Sequence, residues 1–288
     1  MLAQNLKSDI DDSLIHSILA SRSVGEVQAA VAAFISVAEG MDGMHLWMHC
    51  QCLTAAFSEW AKPYEKPAGD SAWNAVIVPP EHAPVMLLAS YVPLGGPPVE
   101  VISGLKKFTA ICDEFMPPVC DAITPAEIKR VLNAAQREYR LLNVIAPAEP
   151  LQIFRFNYSH FMYNSQCGIP ANHARPATIF VFHPKENTVH NRIFIFAHEL
   201  GHALHFSLTH DQNVLPEGFD KFNESVGVKL TALEEKQEAF ADAVAMAILH
   251  VKGLRTHFPS QFSRDMGPCF AQYIHGLIKA EQEGSRHG

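Results

Sequence analysis

The residues of this chain with the most evident chemistry lie between Phe194 and His205. Within this stretch His198, Glu199 and His202 have the spacing H-E-x-x-H. On a helix, four residues turn the chain through about 400°, so both imidazoles lie on one face, where they can bind a single metal ion. Glu199 lies to the side of this pair, where its carboxylate can take a proton from a metal-bound water. The spacing therefore predicts one zinc ion per chain, with Glu199 as the general base.

The neighbouring residues predict the elements that must position these side chains. The stretch from Thr178 to His183 alternates β-branched and aromatic residues, as strands do. A polar loop is expected from Pro184 to His190, and Asn191 then predicts the N-cap of a helix from Arg192 to about Leu208. The alternative is an amphipathic helix on which the two histidines are ordinary residues without a metal.

A catalytic zinc site needs a third protein ligand and an open position for water. The stretch from Leu230 to Val251 has helical periodicity, and Glu238 is the favoured ligand on it. Asp242 follows on the same face one turn later, where it can accept the free ring N–H of a ligating histidine. Alanines at alternate positions after Glu238, from Ala239 to Ala245, allow this helix to approach the histidine helix closely.

Other residues are possible third ligands, and the sequence leaves them open. Glu234 and Glu235 lie at the start of the same predicted helix, where acids also complement the helix dipole without binding anything. Cys167 is the nearest upstream cysteine, although no second metal-binding spacing surrounds it. A fourth protein ligand would instead close the site and make the zinc structural.

The two stretches together resemble a known group of enzymes. The segment from Arg192 to His202, followed by Glu-Ala-Phe-Ala-Asp from Glu238 to Asp242, is similar to the ImmA/IrrE group of zinc metallopeptidases and to the broader gluzincins. The resemblance covers roughly residues 124–251. Phe240 departs from the group, which often has an asparagine at that position.

The resemblance implies a fold and an activity. The fold would be α+β: a zincin-like domain with a backing helix, a small twisted sheet, the two-histidine helix and the glutamate helix. His198, His202 and Glu238 would hold the zinc, and Asp242 would support a ligating histidine. The activity would be hydrolysis of peptide bonds in a peptide or protein substrate. Known members include proteases that cut a partner repressor.

Composition bounds the remaining possibilities. The chain has 288 residues, 48% of them hydrophobic, and 22 basic against 30 acidic residues give a net charge of −8. This balance argues against a broad nucleic-acid-binding face or an anionic-membrane surface. No apolar run is long enough to span a bilayer, and the N-terminus lacks the pattern of a signal peptide, so we expect a cytoplasmic protein. The six cysteines follow no disulfide or zinc-finger spacing.

The organisation of the chain predicts two regions. Residues 1–120 are expected to be mainly helical, with a proline-rich segment at 63–98, and residues 121–288 to form the zincin-like domain. Thr124 opens the second region with a capping box and a proline at the first helical position. The pattern predicts further helices at 23–40, 44–60, 105–115, 124–142 and 268–281, and strands at 75–78, 85–92, 151–156 and 177–183.

Two functions from different classes fit these observations. The first is a zinc metallopeptidase of narrow specificity, and the second is a regulatory or sensor protein that uses the same domain for binding alone. A peptidase also needs a donor for the tetrahedral oxyanion. The candidates for that donor are Tyr158, His160, Tyr163, His205 and His210. The long connection at residues 209–231 is expected to frame the substrate cleft. The oligomeric state is left open.

Overall fold

The fold is α+β, as predicted, and consists of helices arranged with one small sheet. The structure is a computed structural model and describes residues 12–65, 72–118, 121–160, 165–168, 177–183, 189–211, 213–251 and 267–284. The α-helices are α1 (Asp12–Ala20), α2 (Val24–Ala38), α3 (Gly43–Ala61), α4 (Ala83–Tyr91), α5 (Pro98–Ile111), α6 (Pro125–Tyr139), α7 (Leu142–Ile145), α8 (Val189–Thr209), α9 (Phe219–Ser225), α10 (Leu233–Val251) and α11 (Gly267–Gly284). The strands are β1 (Trp73–Ile77), β2 (Phe115–Met116), β3 (Leu151–His160), β4 (Ser165–Gly168) and β5 (Thr178–His183).

The sheet contains three of the predicted strands, at 75–78, 151–156 and 177–183, all of which precede the H-E-x-x-H stretch in the chain. Five strands of the described chain belong to it, in the order β1-β3-β5-β4, with β2 paired to β3. Strands β3 and β5 are neighbours, so the strands that contain residues 151–156 and 177–183 are paired with each other. Strand β4 runs antiparallel to β5, with Cys167 opposite Ile179. Strand β5 therefore lies inside the sheet, and its central residues are buried.

The chain divides into two compact units that are not contiguous in sequence. Unit 1 contains residues 1–67, 77–117 and 156–162. Helices α1 to α5 belong to it, and its core includes the fully buried aromatic side chains of Phe34, Phe57 and Phe108. Within the described residues, no helix of either unit is both long and apolar enough to cross a membrane.

Unit 2 contains residues 68–76, 118–155 and 163–288, and it carries the H-E-x-x-H stretch. Its core is one hydrophobic cluster to which α6, α8, α10 and α11 all contribute. Every side chain from Ala239 to Leu249 on α10 is buried, apart from minor exposure at Asp242. Helix α10 is thus surrounded by other elements over most of its length, and it packs most extensively against α8.

The start of unit 2 shows the predicted capping box. The Thr124 hydroxyl accepts a hydrogen bond from the backbone N–H of Glu127, and the Glu127 carboxylate accepts one from the backbone N–H of Thr124. The predicted continuation of this helix to Leu142 is wrong. Arg140 adopts a left-handed conformation, with φ of 54°, and ends α6 at Tyr139.

Three other predictions of elements are wrong in type or boundary. Residues 85–92, predicted as a strand, lie in helix α4, where Ala83 to Leu88 are all buried. An apolar run buried on all sides lacks the periodicity that separates a strand from a helix, and Pro84 is tolerated in the first turn. Helix α5 begins at Pro98, before the predicted start at Leu105, and α8 begins at Val189, so Asn191 is a helical residue and no N-cap.

Candidate metal centre

The two histidines lie one turn apart on α8, as their spacing predicts. The Nε2 atoms of His198 and His202 are 3.0 Å apart, and the two rings are nearly perpendicular, at 81°. At this distance both Nε2 atoms can contact a single ion. The local sequence therefore presents two imidazole nitrogens to one ion.

Glu238 on α10 completes a triangle with these nitrogens. Its Oε2 lies 3.1 Å from His198 Nε2, and its Oε1 lies 3.4 Å from His202 Nε2. In a tetrahedral site with bonds of about 2.0–2.1 Å, neighbouring ligand atoms are about 3.3 Å apart. The three side chains can therefore reach one small cation together, and they form a group able to hold a metal ion.

Asp242 supports one of the histidines from the side opposite the triangle. The Nδ1–H of His198 donates a hydrogen bond of 2.8 Å to Asp242 Oδ1. This bond keeps a proton on Nδ1, so a metal would bind at Nε2, in place of the proton held there in the metal-free site. Asp242 follows Glu238 by one helical turn. One face of α10 therefore carries both the third member of the triangle and the acceptor that hydrogen-bonds to His198.

The surrounding charges make the site attractive to a cation. Burial alone would lower the pKa of His198, but its hydrogen bonds to Asp242 and Glu238 and the nearby charge of Glu199 outweigh burial and raise the pKa to about 10. The hydrogen bonds from His198 and His202 hold the pKa of Glu238 far below its ordinary value. Without metal, the centre is therefore expected to hold a proton where a cation would otherwise lie.

Glu199 lies beside the triangle and takes no part in it. Its side chain is buried, with 6% of its surface exposed, and its negative charge acts on His198. A carboxylate next to the ligand atoms but outside the ligand set matches the position expected of a general base. The exposed fractions of the ligand side chains are 16% for His198, 21% for His202 and 55% for Glu238. The triangle is therefore open to solvent on the Glu238 side.

The other possible third ligands are Glu234, Glu235 and Cys167, and the structure describes the side chains of the two glutamates. Glu235 accepts long hydrogen bonds from the backbone N–H groups of Thr231 and Ala232, which places its carboxylate at the start of α10. Glu234 is exposed in the same turn. Among the described residues, the group able to hold a metal contains only His198, His202 and Glu238. The side chain of Cys167 lies outside the described part of the chain.

The structure describes the surroundings of only some of the candidate oxyanion donors, and it gives one of them another hydrogen-bond partner. His205 is buried, and its Nε2–H donates a hydrogen bond of 2.6 Å to the carbonyl of Val214, so this nitrogen serves the connection that follows α8. Burial lowers the pKa of His205, which favours the neutral ring. His210 is exposed just after α8. Tyr158 belongs to unit 1, while Tyr163 and the side chain of His160 lie outside the described residues.

One pair of residues that supports the site was not anticipated from the sequence. The guanidinium of Arg192, in the first turns of α8, donates two hydrogen bonds to the carboxylate of Glu127, at 2.9 and 3.1 Å. Both side chains are nearly buried, with 12% and 13% exposed. This pair joins the start of the histidine helix to the cap of α6. The capping glutamate was visible in the sequence, but nothing in the sequence identified its second partner.

Comparison with known proteins yields no relative. No protein-family model matches the chain, and neither a curated protein nor a solved structure is significantly similar to it. The site is therefore interpreted from its own residues.

Proposed function

We propose that this protein is a zinc-dependent metallopeptidase, with His198, His202 and Glu238 as the zinc ligands. The observation that carries the proposal is the triangle of two imidazole nitrogens and one carboxylate, with sides of 3.0 to 3.4 Å, beside a further, buried carboxylate. Two histidines and a glutamate are a ligand set of catalytic zinc, and the donor spacing fits a tetrahedral ion.

The donor types favour zinc over other common cations. Calcium and magnesium prefer oxygen ligands, whereas imidazole nitrogen with one carboxylate suits zinc and its neighbours. The solvent-facing side at Glu238 supports a site with an open position instead of a closed structural one. When bound, zinc supplies an acidified water, with a pKa of about 7, and polarises the substrate carbonyl.

Three acidic residues, Glu199, Glu238 and Asp242, have the other roles in the proposed mechanism. Glu199 accepts the proton of the attacking water and passes it to the leaving amine. In the metal-free site Glu238 is ionised at neutral pH, because hydrogen bonds from the two histidines hold its pKa low, so it can bind the ion without first losing a proton. Asp242 keeps His198 in one tautomer and one orientation. The nearby acids also stabilise positive charge at this point of the structure.

The same proposal includes the class of substrate, the specificity and the cellular location. A zincin-like arrangement, in which the histidine helix and the glutamate helix share one ion, is the arrangement of the ImmA/IrrE group that the motif resembles. On this basis the substrate is a peptide or protein, the specificity is narrow, and the enzyme acts in the cytoplasm. The second candidate, a regulatory protein that binds without cleaving, has no observation in its favour and is an outcome of the test below.

The test is the variant Glu199→Gln. We expect it to bind zinc as the native chain does, because Glu199 is no ligand, and to lose peptide hydrolysis, because an amide cannot accept the proton. Zinc content and the cleavage of a peptide library, read by mass spectrometry, are the measurements. The matched control is Glu234→Gln, which alters an exposed acid of α10 and should leave both unchanged.

Two results would contradict the proposal. Cleavage that persists in Glu199→Gln would remove the general base from the mechanism. Zinc bound by the native chain without cleavage of any library member would favour the binding protein. The Glu199→Gln variant also serves as a trap, because a substrate that it holds uncut can be isolated and identified.

A further inference from the structure

Helices α8 and α10 touch backbone to backbone beside the metal ligands. A Cβ atom added to Gly201 would lie 2.5 Å from the Cα of Ala241, 2.7 Å from its carbonyl oxygen and 3.0 Å from its carbonyl carbon. Carbon atoms in ordinary contact are about 3.5–4.0 Å apart. Since all three contacts are to backbone atoms, no change of rotamer at Ala241 could relieve them. Any side chain at position 201 would force the helices apart by about 1 Å.

This contact lies within the site itself. Gly201 precedes the ligand His202 directly, while Ala241 is followed by Asp242 and stands three residues after Glu238. A displacement of α10 at Ala241 therefore moves Glu238 away from both histidines. The donor distances of 3.1 and 3.4 Å have little slack, because zinc requires about 3.3 Å between neighbouring ligand atoms.

The packing around the contact offers little opportunity for compensation. Phe240 and Ala243 on α10 are fully buried, as are Leu200 and Ala203 on α8. A tilt of either helix would therefore disturb the surrounding core.

A second glycine gives the contrast. Gly276 is exposed in the middle of α11, and a Cβ atom added to it would meet no other atom within 4 Å. Glycine is a poor helix former, and at position 276 no close contact calls for it. At position 201 the close contact with Ala241 accounts for the glycine.

We propose that Gly201 is a positioning residue that sets the span of the metal site and thereby matches the site to a small ion. The inference rests on the proposed zinc ligands. It adds that ion size is selected by the distance between two helices, and that this distance depends on the missing side chain at position 201. The ligands themselves are unchanged by any substitution there.

The experiment compares Gly201→Ala with Gly276→Ala in the full chain. The affinities for Zn²⁺ and for Cd²⁺, whose bonds to nitrogen and oxygen are longer, are measured by competition with a chromophoric chelator. We expect Gly201→Ala to lose at least about ten-fold in zinc affinity, as substitutions around a metal site commonly do. The loss for cadmium should be smaller, so the ratio of zinc to cadmium affinity falls. Gly276→Ala should leave both affinities unchanged and raise the melting temperature.

The cadmium comparison separates positioning from general damage. A purely structural defect would weaken both ions equally, and an unchanged ratio would therefore overturn the inference. If Gly201→Ala does not fold without metal, refolding by each ion is titrated, because metal binding is coupled to folding. A lower zinc-to-cadmium ratio of apparent affinities in refolding supports the inference, and an unchanged ratio or no refolding by either ion overturns it. A native chain that binds no zinc would refute the proposed function instead.

Discussion

Of the three glutamates near the start of α10, only Glu238 belongs to the group able to hold a metal ion. Glu234 and Glu238 are four residues apart and share a face of the helix, so the helical pattern cannot separate them. They differ by about 6 Å along the helix axis. The crossing of Gly201 and Ala241 sets which of these levels faces the histidines, and that crossing is a tertiary contact. The helical pattern therefore predicts the two histidines of the triangle more securely than it predicts the third member.

The first prediction at this scale concerns that choice. Glu238→Gln should lower zinc affinity by more than about 100-fold, because loss of a ligand exceeds the 10–100-fold cost of changing an outer partner. Glu234→Gln and Glu235→Gln, which remove the same charge about one turn away, should have little effect. Isothermal titration with zinc measures all three. Equal losses in the three variants would mean that net charge, and no specific carboxylate, holds the metal.

The second prediction concerns the partner of His198. Asp242→Asn should cost about 10–100-fold in zinc affinity, because a neutral amide is a weaker acceptor for the Nδ1–H and holds the ring less firmly. Asp220→Asn is the control: it removes an exposed acid whose ion pair is with Lys236, away from the histidines. If the two variants bind zinc equally well, the hydrogen bond to His198 has no part in metal binding.

At the scale of whole elements, prediction succeeded where local signals were strong. The capping box at Thr124 fixed the start of α6, and alternation in 178–183 identified β5. Helix α4 was mistaken for a strand because Val85 to Leu88 are buried without periodicity. The end of α6 was missed because Arg140 adopts a left-handed conformation that is uncommon for arginine and that composition alone does not announce.

The third prediction concerns the pair that anchors the histidine helix. Arg192→Gln should destabilise the protein by about 2–4 kcal/mol, because it leaves the nearly buried Glu127 without the guanidinium that hydrogen-bonds to it. Urea unfolding at neutral pH measures this loss. Arg137→Gln breaks an exposed pair on α6 and should cost about 0–1 kcal/mol. A similar loss in both variants would deny Arg192 any special role.

The stability that the Arg192–Glu127 pair contributes depends on pH in a defined direction. Burial alone would raise the pKa of Glu127, but hydrogen bonds from Arg192 and Thr124 lower it below the ordinary 4.5. A carboxylate with a lowered pKa contributes stability that is present above its unfolded value and is lost as the pH falls through the folded value. The difference in unfolding free energy between native and Arg192→Gln chains should therefore be constant above about pH 5 and shrink below it. A difference that grew on acidification would contradict this.

At the scale of the whole molecule, the division of the chain into two compact units could not be predicted from local sequence patterns. A boundary at residue 120 assumes contiguous regions, and it stays a prediction. Unit 2 includes residues 68–76, and unit 1 includes residues 156–162, so neither unit is one continuous stretch of the chain. No local sequence pattern indicates such a division. The residues of the candidate metal centre all lie in unit 2, so their grouping does not depend on where the boundary is placed.

In the proposed site, one zinc ion is bound by two imidazoles and a carboxylate, with no cysteine. X-ray absorption at the zinc edge, together with metal analysis of the purified 288-residue chain, measures both the zinc content and the ligand atoms. We expect one zinc per chain with nitrogen and oxygen neighbours at about 2.0–2.1 Å. Absence of zinc, or a sulfur neighbour at about 2.3 Å, would contradict it.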